Sequence, residues 1–176
     1  MTVQAIAERA ARPFHVPVWV GRGYTSITSV QRMEQQFRRS GKDRMVLLIA
    51  GDFDPEGESI PACLTASLRD EFCVNLTAAK VALTKQQVND MGLSENPEKL
   101  KAKKTSSRAK CFIEKNGENV YELEAIEPDT LQDIMRNSIE SVLDMNLLRR
   151  ERSLEAEDAR ELEARRKVAL AALGAC

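Results

Sequence analysis

Asp52 and Asp54 stand one residue apart at the end of the apolar run Val46-Leu47-Leu48-Ile49-Ala50-Gly51, and Pro55, Glu56, Gly57 and Glu58 follow directly. Two carboxylates at the mouth of a buried strand are hard oxygen donors of the kind Mg²⁺ takes, one or two at a time, while keeping waters for a substrate phosphate. Mn²⁺ suits the same donors. Residues two apart on an extended chain point the same way, and a tight turn after the strand lets them converge on one ion. Glu56 is placed to assist or to orient that ion. The competing role is structural: Asp54, Glu56 and Glu58 would favour the positive end of the helix that follows.

The elements that must hold this turn are read from periodicity. Residues 2–12 form a predicted helix with Val3, Ile6, Ala7 and Ala10 on one face, stopped by Pro13. Val16 to Val20 is short, apolar and β-branched and predicts a strand. Thr25 or Ser26 caps a helix whose apolar positions are Ile27, Val30, Met33 and Phe37, closed by Ser40-Gly41. Met45 to Ala50 is the second strand. Residues 57–72 follow as a helix, and the third strand lies around Ala78 to Leu83. Thr84 caps a short helix from Lys85 to Met91, which Gly92 ends. Strands alternating with helices argue for an α/β fold with a parallel sheet flanked by helices.

From Leu93 to Lys110 the chain reads as an exposed loop with six cations in twelve residues: Lys99, Lys101, Lys103, Lys104, Arg108 and Lys110. Such a loop beside a metal-binding turn can hold phosphates. Arg22, at the end of the preceding strand, is well placed for the same task. Cys111–Glu114 and Val120–Ala125 flank an Asn-Gly turn and predict a hairpin or two short strands. Glu122 and Glu124 would then face one side of a strand. Pro128 opens a further helix. Residues 147–172 form a long helix of mixed charge, suited to i,i+4 ion pairs and to docking a protein partner. The predicted organisation is an α/β domain over 1–145 and a charged helical tail over 146–176.

The 176 residues carry a net charge of -1, with 43% hydrophobic and 30% charged residues, so a packed core is expected and bulk attraction to nucleic acid is not. The four cysteines form no Cys-x-x-Cys pair and predict reduced, buried thiols. His15 alone cannot build a histidine-based triad. No apolar run approaches bilayer length and no signal pattern opens the chain, which predicts a cytoplasmic protein without a membrane partner.

Leu48-Ile49-Ala50-Gly51-Asp52-Phe53-Asp54-Pro55-Glu56-Gly57-Glu58 resembles the second acidic motif of the Toprim domain. That fold is shared by topoisomerases, bacterial primases, nucleases and recombination mediators. The Gly-Asp-x-Asp-Pro-x-Gly form is most similar to the topoisomerase VI A subunit and to stand-alone Toprim proteins of bacteria and phages. Val18-Trp19-Val20-Gly21-Arg22-Gly23-Tyr24-Thr25-Ser26, Ala82-Leu83-Thr84-Lys85-Gln86-Gln87-Val88 and Tyr121-Glu122-Leu123-Glu124-Ala125-Ile126 resemble further segments of the stand-alone group. The resemblance covers roughly residues 2–145.

It implies a Toprim-like, Rossmann-like parallel sheet and a Mg²⁺-dependent protein of DNA metabolism. Asp52 and Asp54 would bind the metal, and Asp52, Asp54 and Glu56 would serve catalysis. Arg22, Lys101, Lys103, Lys104 and Arg108 are the nucleic-acid-binding candidates. The reaction class, if the chain is active, is phosphodiester cleavage or transesterification of the nuclease or topoisomerase type. In the family, a Glu closes a first strand before the first helix. Met1 falls at or just inside that helix and Glu8 lies on it, so this Glu has no counterpart here. The alternatives are a catalytically inactive or partner-completed nucleic-acid-binding accessory module, or a truncated gene product. The nucleophilic tyrosine of topoisomerases sits on a separate domain that this chain has no room for. Its own tyrosines are Tyr24 and Tyr121.

Overall fold

The computed structural model describes residues 2–21, 26–93 and 106–174. These divide into two compact units, residues 1–139 and 140–176. In chain order the α-helices are α1 (Val3–Ala11), α2 (Ile27–Arg39), α3 (Pro55–Ala66), α4 (Lys85–Met91), α5 (Ser107–Asn116), α6 (Pro128–Val142) and α7 (Met145–Ala172). The strands are β1 (Met45–Ala50) and β2 (Leu76–Ala82). The class is therefore mixed α/β, with a small parallel sheet among the described residues.

The local chemistry explains most of the boundaries. Thr2, Ser26, Asp54, Thr84, Ser106 and Asp144 each cap a helix by accepting a backbone N–H in the first turn, satisfying donors that have no partner inside the helix. At α4 the cap is reciprocal, because the Gln87 side chain also accepts from the Thr84 N–H. Gly92, at φ 59°, closes that helix in the left-handed region where glycine pays no steric penalty. Helix α3 begins at Pro55, two residues earlier than the sequence suggests, because a proline at the first helical position has no N–H to lose. It continues through a π-helical turn, Ser67–Glu71.

β1 and β2 pair in parallel from Met45↔Leu76 to Ala50↔Ala82, with an irregularity between Ile49 and Ala50. Alternation along β1 sends Met45 and Leu47 toward one cluster, with Val30, Met33, Leu68 and Val74 at its centre. Ala50 meets the other cluster, built on Ile6, Ala10, Phe53, Leu83, Phe112, Val120, Leu131 and Met135. Helices therefore cover both faces of the sheet. Even so, no residue of β1 is fully buried, and Val46 is exposed. A parallel strand normally reads as buried on both faces because crossover helices cover it and strands flank it. Only two strands are present here among the described residues.

Three predicted strands are corrected. Val16–Val20 belongs to no ladder, and Trp19 and Val20 are exposed. The segment has strand propensity, but the described residues pair it with no neighbour. The hairpin over Cys111–Glu114 and Val120–Ala125 is replaced by helix α5 and a 3₁₀ turn, Leu123–Ala125. Glu122 and Glu124 consequently do not share the face of a strand. Tyr121 keeps one strand-like contact, an isolated antiparallel bridge to Phe53.

Residues 107–110, expected in a loop, form the start of α5, while 94–105 lie outside the described residues. The thiol expectation fails at Cys63, Cys73 and Cys111, which are free but exposed. No helix is long and apolar enough to cross a membrane among the described residues.

In the second unit, α7 has no buried residue. Its ion pairs run along its own surface, Arg165 to Glu161 and Arg166 to Glu163. The mixed-charge reading of this helix holds.

Candidate metal centre

The acidic turn lies between the carboxyl end of β1 and the N-terminus of α3, which is where open α/β sheets bind ligands. Asp54 is extended, with φ -149° and ψ 172°, and its Oδ1 accepts the Gly57 N–H at 2.6 Å. It is only 2% exposed. Its charge is offset there by the positive helix terminus as well as by the hydrogen bond. Asp52 is held by a different segment: its Oδ1 accepts the N–H of Leu123 at 3.0 Å, across 71 residues of chain. Phe53, between them, exchanges backbone hydrogen bonds with Tyr121 at 2.8 and 3.1 Å. The turn is thus tied both to its own helix and to the segment 121–123.

Gly57 makes the close packing of this turn feasible. A Cβ at that position would lie 2.0 Å from the Asp52 carbonyl oxygen and 2.8 Å from its carbon. Backbone atoms cannot yield to that contact, so glycine is required by the approach of the two segments. Pro61, four residues on, removes the N–H that would otherwise bond the Gly57 carbonyl in the helical ladder.

Sequence reasoning missed Lys80. Its Nζ donates to the Asp52 carbonyl at 2.9 Å and to Glu58 Oε1 at 2.6 Å. The ammonium also lies 5.5 Å from the centroid of the Phe53 ring. The signal was legible in principle: a lysine within Leu-Thr-Ala-Ala-Lys-Val-Ala, an otherwise uncharged strand of a helix-flanked sheet, needs a partner there.

Of the other predicted residues, Glu56 stands in the first turn of α3, where its charge favours the helix terminus. Arg108 is exposed in the first turn of α5, one helical turn before Phe112. Phe112 meets the Phe53 ring edge-on at 5.2 Å and 69°. Arg108 therefore shares a helix face with a residue that touches the acidic turn. Arg22, Lys101, Lys103 and Lys104 lie outside the described residues, as does Tyr24. Tyr121 is buried in the first core cluster.

The donor chemistry, hard carboxylate oxygens, is of the kind that Mg²⁺ or Mn²⁺ takes. Two carboxylates, each oriented through one oxygen by a backbone N–H, resemble the anchored ligands that outer hydrogen bonds hold in place. A complete protein cage is absent: among the described residues, no group of three or more His, Cys, Asp and Glu side chains is gathered for a metal.

No family model, no curated protein and no solved structure matches the chain.

Proposed function

We propose that this chain is a Toprim-like, Mg²⁺-binding protein of DNA metabolism, with Asp52 and Asp54 as metal ligands and Glu56 assisting. The observation that carries the reading is the acidic turn itself, two carboxylates fixed at the carboxyl end of a parallel strand by the Gly57 and Leu123 N–H groups. The motif resemblance in residues 48–58 supports it. Mg²⁺ held there would neutralise a phosphodiester and stabilise charge on the attacking or leaving oxygen. The chain's own part is to orient the two carboxylates, to surround the turn with Phe53, Phe112 and Tyr121, and to present cations such as Arg108 to a phosphate backbone. If the chain turns over substrate, the reaction class is phosphodiester hydrolysis or transesterification. Attack by Tyr121 is disfavoured by its burial.

A second reading has its own observation. Asp54 is buried and already caps α3, and a third protein ligand is not gathered beside it among the described residues. Both facts favour a binding module without independent catalysis, completed by a partner chain or acting as an accessory.

The test is fluorescence anisotropy of labelled duplex DNA with the native chain and with Asp52→Asn, in Mg²⁺ and in chelator. Binding strengthened by Mg²⁺ and lost in the variant is the expected result. DNA binding that ignores both the metal and the substitution would defeat the metal-site reading, and no DNA binding at all would defeat the nucleic-acid reading. Cleavage in the same tubes separates the enzyme from the accessory module.

A further inference from the structure

Lys80 is a nearly enclosed cation with one replaceable partner. Its side chain is 15% exposed, whereas that of Glu58 is 42% exposed. Two of its contacts belong to the fixed turn: the Asp52 carbonyl, packed against Gly57, and the Phe53 ring. The third is the Glu58 carboxylate, on a side chain that reaches the surface from the first turn of α3. If Glu58 rotated into solvent, the ammonium would keep the carbonyl and the ring and stay in place. It would then remain beside the Asp52 carbonyl, just past the carboxyl end of β1, with donors to spare from the three that an ammonium carries. A lysine there acts as a compact point charge toward phosphate.

We propose that Lys80 is an anion-binding residue for a phosphate ester, and that Glu58 occupies its position as a resident substitute until the ester arrives. The carboxylate and the phosphate oxygen are chemically alike as acceptors, so the exchange replaces one charge-assisted hydrogen bond with another. The inference rests on the reading of the acidic turn as a phosphate-handling site, and it assigns to that site a residue that supplies positive charge in addition to any metal. It separates Lys80 from an ordinary structural ion pair by sign. A structural pair loses by removal of either partner, whereas an exchangeable pair binds anions worse without the lysine and better without the glutamate.

The experiment titrates inorganic phosphate into the full chain, followed by phosphorus NMR, with and without Mg²⁺. Lys80→Met is expected to weaken phosphate binding about tenfold or more, the effect of losing a charged hydrogen bond. Glu58→Gln is expected to strengthen it about threefold relative to Glu71→Gln, which removes the same charge beyond the end of α3. The double variant should behave like Lys80→Met alone. Unchanged affinity in folded Lys80→Met overturns the assignment, as does weaker or equal binding in Glu58→Gln, or no phosphate binding by the native chain. If Lys80→Met does not fold, the Glu58→Gln comparison decides. Mn²⁺ titration of the same proteins keeps the two claims apart: loss of the metal with the phosphate pattern intact defeats the metal site alone, and metal binding without the phosphate pattern defeats the Lys80 assignment alone.

Discussion

Residues 51–58 and helix α7 are both charged at about every second position, yet they hold that charge in opposite ways. In the turn, charged side chains are bound to particular atoms, some of them distant in sequence: Asp54 to the Gly57 N–H, Asp52 to the Leu123 N–H, and Glu58 to Lys80. In α7 the pairs Arg165–Glu161 and Arg166–Glu163 join side chains four and three residues apart on an exposed surface. The first arrangement ties four segments of chain to one place and depends on each residue type. The second is a local property of a helix, made between neighbours on its own surface. Specific chemistry is therefore to be sought in the turn, and tolerance to substitution in the helix.

The largest effect expected from this contrast is at Gly57. Alanine is the better helix former by about 1 kcal/mol, but its Cβ would overlap the Asp52 carbonyl. Overpacking against backbone should win, and Gly57→Ala is expected to destabilise the chain by about 3 kcal/mol in urea unfolding. A neutral or stabilising result would show that the turn is not packed as described. Asp54→Ala comes next, with a loss of about 1 to 2 kcal/mol from the helix cap. Asp54→Asn should lose far less, since asparagine caps as well as aspartate does. Smallest is Arg165→Ala in α7. One exposed i,i+4 pair contributes about 0.5 kcal/mol or less, and the change should fade further in high salt. A loss of several kcal/mol there would mean that α7 is held by something other than its own surface pairs.

The strand–turn–helix unit around Asp52 was legible because an apolar β-branched run gave way to a helical pattern from residue 57, although the start at Pro55 was missed. Thr84 and Gly92 marked the two ends of α4. The failures have physical causes. Cys111-Phe112-Ile113 looked like a strand, and Asn116-Gly117 like its hairpin turn. The dipeptide instead ends a helix, with Gly117 at φ 86°, while Ala109, Phe112 and Ile113 recur at helical spacing behind the Ser106 cap. Val16–Val20 has the composition of a strand, but a strand exists only with a neighbour, and composition does not supply one. The hydrogen bond from Leu123 and the approach of Lys80 come from contacts distant in sequence, which local periodicity does not encode.

The central claim is that the acidic turn binds a divalent cation through Asp52 and Asp54, over and above their structural hydrogen bonds. The measurement that meets it most directly is calorimetric titration of Mn²⁺ into the native chain and into Asp52→Asn/Asp54→Asn. Asparagine's carbonyl oxygen can still accept the Leu123 and Gly57 N–H groups, so the fold should persist while both negative charges are gone. The account predicts saturable binding in the native chain and none in the folded double variant. Equal binding by both proteins, or no binding by the native chain, would contradict it and leave the turn as a helix entry with a structural role.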